Sequence, residues 1–88
     1  MFPLKNSNYS AGEASFYLRE GQDVDAQWQG QSVVKIPAKQ VDTIMRSGDD
    51  AEIEGLADSL LAAFPEKHYV DRDLLAMWLA VWRNTNYR

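Results

Sequence analysis

The stretch Leu74-Leu75-Ala76-Met77-Trp78-Leu79-Ala80-Val81-Trp82 carries no polar side-chain group except its two indole N–H groups, and no other part of the chain is as apolar. At about 100° per residue on a helix, its large side chains sweep an arc of roughly 200°, in the angular order Met77, Val81, Leu74, Trp78, Trp82, Leu75, Leu79. A surface helix normally buries a stripe only slightly over about 100° wide. Such a helix is either the central post of the fold or leaves part of its surface for another chain, because 88 residues supply few elements to cover it. Asp71 is a good N-cap for it, with Arg72 and Asp73 in the first turn and Asn84 near its end, so the spacing predicts a helix over about 71–83.

Upstream, a second apolar stripe of Ile53, Leu56, Ala57, Leu60, Leu61 and Phe64 predicts a helix over about 50–64, capped by Asp49 or Asp50 and broken at Pro65. Leu60 and Phe64 are expected to pack against the last helix. Before it, Val41, Ile44 and Met45 mark one face of a short helix over about 38–47, which should stop at Ser47-Gly48 because Gly accepts a left-handed C′ conformation. Between Ala14 and Pro37 the period shortens to two: Phe16-Tyr17-Leu18, then Val24/Ala26/Trp28, then Val33-Val34-Lys35-Ile36, each bounded by Gly or Pro. These are three antiparallel strands over about 14–36. A connection through Gln29-Gly30-Gln31 pairs Trp28 with Ser32, Ala26 with Val34 and Val24 with Ile36, gathering the apolar side chains on one face and setting Asp25 against Lys35 on the other. Residues 1–13, rich in Asn and Ser with no apolar period, read as a flexible N-terminal arm. The expectation is an arm over 1–13 and a single α+β domain over 14–88, with three helices packed on one face of a small three-stranded sheet.

Composition narrows the chemistry. With no cysteine the chain has no disulfide, thiolate metal site or cysteine nucleophile, and it suits a reducing cytoplasm. The apolar run is well short of the ~20 residues needed to cross a bilayer, and the first residues contain no signal-like apolar segment. The expectation is a cytoplasmic protein, bacterial or from a mobile element. The net charge of −4 falls wholly on residues 49–88, since residues 1–48 balance five basic against five acidic side chains. An acidic second half argues against non-specific attraction to nucleic acid or anionic lipid and favours a basic protein partner.

Catalytic and metal motifs are absent from the pattern. The lone histidine, His68, has Asp71 three residues on, but no serine lies in a Gly-x-Ser-x-Gly elbow, and His68 reads as a polar loop residue. Acidic residues alternating from Asp50, with Gly55 sixth, echo a calcium loop, yet the twelfth position is Leu61 where a bidentate Glu belongs. Asp49, Asp50 and Glu52 instead suit a helix N-terminus, which stabilises negative charge. A helix-turn-helix over the first two helices fails on charge, because the second would enter the major groove with Asp50, Glu52, Glu54 and Asp58 and no Arg or Lys.

What remains is a small non-enzymatic protein-protein interaction module, an adaptor, regulator or inhibitor, with no metal or cofactor. Its candidate partner-binding residues are the acidic Asp49, Asp50, Glu54 and Asp58, together with Trp78 and Trp82, since Trp is enriched at interface hot spots. A homodimer is expected, with Trp82 rather than Trp78 at the contact because it lies nearer the polar end of its helix. The alternative is a nucleic-acid-binding regulator in which Tyr17 and Trp28 stack bases and Arg19 and Lys35 meet phosphates.

Overall fold

A computed structural model describes residues 6–87. Its elements run β1 (Asn6–Ala11), β2 (Ala14–Arg19), β3 (Val24–Trp28), β4 (Gln31–Ile36), α1 (Ala38–Ser47), α2 (Asp50–Leu61) and α3 (Arg72–Asn86). The strands form one antiparallel meander in the order β1-β2-β3-β4. The α+β class and three helices agree with the sequence; the sheet has four strands rather than three. The additional strand is part of the expected arm, of which residues 1–5 lie outside the described residues. β1 pairs with β2 along its whole length, from Asn6 opposite Arg19 to Ala11 opposite Ala14.

The inner face of the sheet gathers Tyr9 and Ala11, then Ala14, Phe16 and Leu18, then Val24, Ala26 and Trp28, then Val34 and Ile36. Ala14, Phe16, Leu18, Val24 and Ala26 are sealed by the helices, which supply Val41, Met45, Ile53, Leu56, Leu60, Leu75, Leu79 and Trp82 to the same core. The outer face, from Asn8 through Tyr17 and Arg19 to Asp25, Gln27 and Lys35, is polar and carries no helix, as an antiparallel sheet can tolerate.

The β3–β4 register is close to the expected one, with an instructive departure. Val24 faces Ile36, Asp25 faces Lys35 and Ala26 faces Val34, but Trp28 sits opposite Gln31 instead of Ser32. Gln29 and Gly30 both adopt positive φ, 52° and 81°, the backbone a two-residue type I′ turn demands. That turn alone would shift every later pair by one residue and mix the faces. A bulge after the Gln27–Ser32 pair absorbs the shift by leaving Val33 unpaired and exposed, and the apolar face is restored from Val34 onward.

The helix ends follow local chemistry. α1 occupies the expected residues, but Gly48 is extended, with φ −73°, not left-handed. Glycine is required there for close approach: a Cβ would collide with the Ile44 carbonyl oxygen, to which the Gly48 N–H donates at 2.7 Å. α2 stops at Leu61, three residues before the expected end, because Pro65 disfavours helical backbone at Phe64 and the last turn unwinds. Phe64 is thereby turned onto the sheet. Its ring stacks on Phe16 at 5.5 Å and meets Trp28 at 5.6 Å, so its closest aromatic partners are strand residues rather than residues of the last helix. α3 runs past the expected 83 to Asn86, whose Nδ2 donates to the Trp82 carbonyl at 3.0 Å.

Candidate functional site

α3 is covered on one side only. In angular order the apolar arc passes from exposed Met77, Val81 and Leu74, through half-buried Trp78, to buried Trp82, Leu75 and Leu79. The other side of the buried arc is completed by Ala76 and Arg83. Trp82 is 3% exposed within its own chain, which overturns its assignment to an intermolecular contact. Position around the helix, not distance from its end, decides which tryptophan reaches the surface.

Trp78 is the hinge between core and surface. Its Nε1–H donates to Ser7 Oγ at 2.9 Å, and its ring lies 5.9 Å from Tyr9 and 6.4 Å from Phe16. The bond satisfies the indole's one polar atom, so the ring can lie against apolar neighbours without desolvation cost. Together with Tyr9, Leu74, Met77 and Val81 it lines an apolar groove beside β1. Of these residues only Trp78 is among the candidate binding residues read from the sequence; Tyr9, Leu74, Met77 and Val81 are not. Leu74, Met77 and Val81 share the stretch that names Trp78, and their angular order is the available signal; Tyr9 falls in the expected arm.

The acidic residues are bonded within the chain. Asp49 caps α2, accepting the Glu52 backbone N–H at 3.0 Å. Asp50 accepts from Arg83 Nη2 at 3.2 Å, and the same guanidinium reaches the Gly48 carbonyl, which secures a side chain only 7% exposed. Arg72 spans Asp58, through Nε at 2.8 Å and Nη2 at 3.1 Å, and Glu54, through Nη1 at 3.0 Å. Two arginines of α3 thus clasp three carboxylates of α2. The Arg72 hydrogen bonds hold the Asp58 carboxyl below its ordinary value of 3.8, and the same bonds push the Arg72 guanidinium above its ordinary range. These groups are water-exposed, so the pair contributes modestly and is screened by salt.

A lowered carboxylate pKa gives stability present above the ordinary value and lost as pH falls through the folded value. Asp58→Asn is therefore expected to lower the denaturation midpoint slightly at neutral pH. The difference should begin to shrink as pH falls through 3.8, vanish only below the lower folded value, and weaken in high salt. Urea titrations of both proteins at the two pH values check it.

The four residues of the nucleic-acid alternative do not share a surface. Tyr17, Arg19 and Lys35 occupy the outer sheet face, with the Arg19 guanidinium 5.0 Å from the Tyr17 ring centroid, whereas Trp28 lies on the inner face against Phe64. Asp25, between them, accepts from Gln27 Nε2 and Ser32 Oγ and adds negative charge to that face. His68 stands in the α2–α3 connection, where its Nδ1 accepts the Val70 N–H at 3.3 Å and its ring meets Phe64 edge-on.

Among the described residues no three metal-ligating side chains gather, and no helix is long and apolar enough to cross a membrane. Comparison with known protein families, with curated proteins and with solved structures finds no match to this chain.

Proposed function

We propose that this chain is a small non-enzymatic protein-protein interaction module, an adaptor, regulator or inhibitor, that docks through the outer stripe of α3 and the adjoining strand β1. The observation that carries the reading is the contiguity of exposed Leu74, Met77 and Val81 with half-buried Trp78 and Tyr9. Single exposed apolar residues are ordinary on a protein surface, but a contiguous groove containing Trp, Tyr and Met has the composition of an interface centre. The acidic residues Asp50, Glu54 and Asp58 support the site indirectly, since their bonds to Arg83 and Arg72 fix α3 against α2.

Substitution separates the groove from the acids. Affinity capture from the native host should lose its partner with Met77→Lys and keep it with Glu54→Gln. Loss with Glu54→Gln alone would move the docking surface to α2.

A further inference from the structure

We infer that the occupant of this groove is a second copy of the chain, joined by antiparallel pairing of β1 with its symmetry mate and by packing of the two α3 stripes across a two-fold axis. The inference rests on the docking reading of the α3 groove and names its partner.

The two sheet edges differ in a way that selects β1. β4 carries Lys35 and the bulge at Val33, devices that blunt an edge against pairing. β1, Asn6-Ser7-Asn8-Tyr9-Ser10-Ala11, has no charge, proline or bulge, and its outer edge pairs with no other strand among the described residues. An edge of this kind is a template for another strand.

Charge selects the copy over a basic partner. Between Asp73 and Arg83 α3 has no charged side chain, and β1 has none, so this edge is neutral on a chain of net charge −4. A cationic partner would be steered toward the carboxylates of α2. A second copy, carrying the same net charge, can approach closely only through a neutral surface.

The geometry is self-complementary. α3 runs opposite to β1: Tyr69, just before the helix, lies by Gly12 at the end of β1, while Trp82 and Tyr87 lie by Leu18 and Arg19, which sit by the strand's start. Trp78, at the middle of the helix, lies over Ser7 and Tyr9. Opposed residues in an antiparallel ladder must point to the same face, so a symmetric pair has its axis on a residue. Placing the axis at Asn8 pairs Ser7 with Tyr9 of the other copy. It also brings the midpoints of the two helices together, so that Leu74 of one copy faces Val81 of the other. The stripe Leu74, Met77, Trp78, Val81 has the i, i+3, i+4, i+7 spacing, which reads the same in both directions. A six-residue strand about 20 Å long, with a helix stacked about 10 Å above it, presents an edge of roughly 200–400 Å² in projection, below the ~800 Å² per partner of a standard interface, so the pairing is that of a weak dimer.

Because the chain has no cysteine, single substitutions test this register directly. Asn8 is exposed on the outer face, and across the axis Asn8→Cys would face itself at a Cβ separation of about 5 Å, near disulfide range. Asn6→Cys would lie about 14 Å along the strand from its mate. The expected result is a dimer by sedimentation, disulfide-linked on oxidation with Asn8→Cys and not with Asn6→Cys, whose dissociation constant rises at least about tenfold with Met77→Lys while the fold is retained. A wild-type monomer in the millimolar range, a dimer indifferent to Met77→Lys, or linkage through Asn6→Cys instead of Asn8→Cys would overturn the inference. A monomer that still captures a host protein in a Met77-dependent manner would overturn it and leave the docking reading standing; capture indifferent to Met77 would sink that reading itself.

Discussion

Phe16→Ala is expected to remove about 3–5 kcal/mol of stability, a large share of the roughly 4–13 kcal/mol available to a domain of 88 residues. Phe16 is completely buried at the centre of β2, and its ring touches Tyr9 at 5.9 Å, Phe64 at 5.5 Å and Trp78 at 6.4 Å. The cavity left by its removal would be bordered by an edge strand, an inter-helix turn and α3, elements held by different parts of the chain that cannot all relax into it. Phe64→Ala removes the facing half of the stack and belongs to the same range. The double variant should cost less than the sum of the two, because the second truncation no longer breaks a ring pair. Denaturant titrations of the wild type, both single variants and the double variant check this. Strict additivity would mean that the stack contributes nothing beyond burial, and a Phe16→Ala midpoint near that of Asp58→Asn would contradict the core described here.

β1 escaped the sequence reading for the same reason that it is open to pairing. Four of its six residues are Asn or Ser, and only Tyr9 is a strong strand former, so neither propensity nor hydrophobicity announces it. The alternation of Ser7, Tyr9 and Ala11 with Asn6, Asn8 and Ser10 is present, but an edge strand only partly roofed by a helix needs few large side chains on its inner face. β2, β3 and β4 were legible because their inner residues are sealed by the helices and must be apolar. Caps were legible too: Asp49 and Asp71 each accept backbone N–H groups of the first turn, as short carboxylates before an apolar run should. Gly48 ends α1 as its residue type predicts, but through close approach and not a left-handed turn, and a close approach to a carbonyl leaves no mark on a sequence that a left-handed turn does not also leave.

The acidic residues show a different boundary. A row of carboxylates looks the same whether it awaits a partner or is bonded within its own chain, and the arginines that engage Asp50, Glu54 and Asp58 lie 14–33 positions away, beyond any local pattern. Only the packing of α2 against α3 brings Arg72 and Arg83 to them.

Trp82→Ala should cost about 3–5 kcal/mol of stability, whereas Met77→Lys should stay within about 0.5 kcal/mol of the wild type. The two residues lie five positions apart on one helix, but Trp82 is 3% exposed and Met77 is 57% exposed. Trp82 closes the core where Leu18 of β2, Val41 of α1 and Tyr87 converge, so its removal opens a space between the sheet and two helices. Met77 borders water on the opposite side of the apolar arc, where a lysine ammonium is solvated and its stem can lie along the groove. Association should order the variants the other way: Met77→Lys should dissociate the proposed dimer, while Trp82→Ala should lower its population only as far as it unfolds the protomer. Denaturant titration and sedimentation of the same preparations separate the two effects. A Trp82→Ala protein of wild-type stability that no longer dimerises would return Trp82 to the interface and reverse the division of α3 into a core side and a docking side.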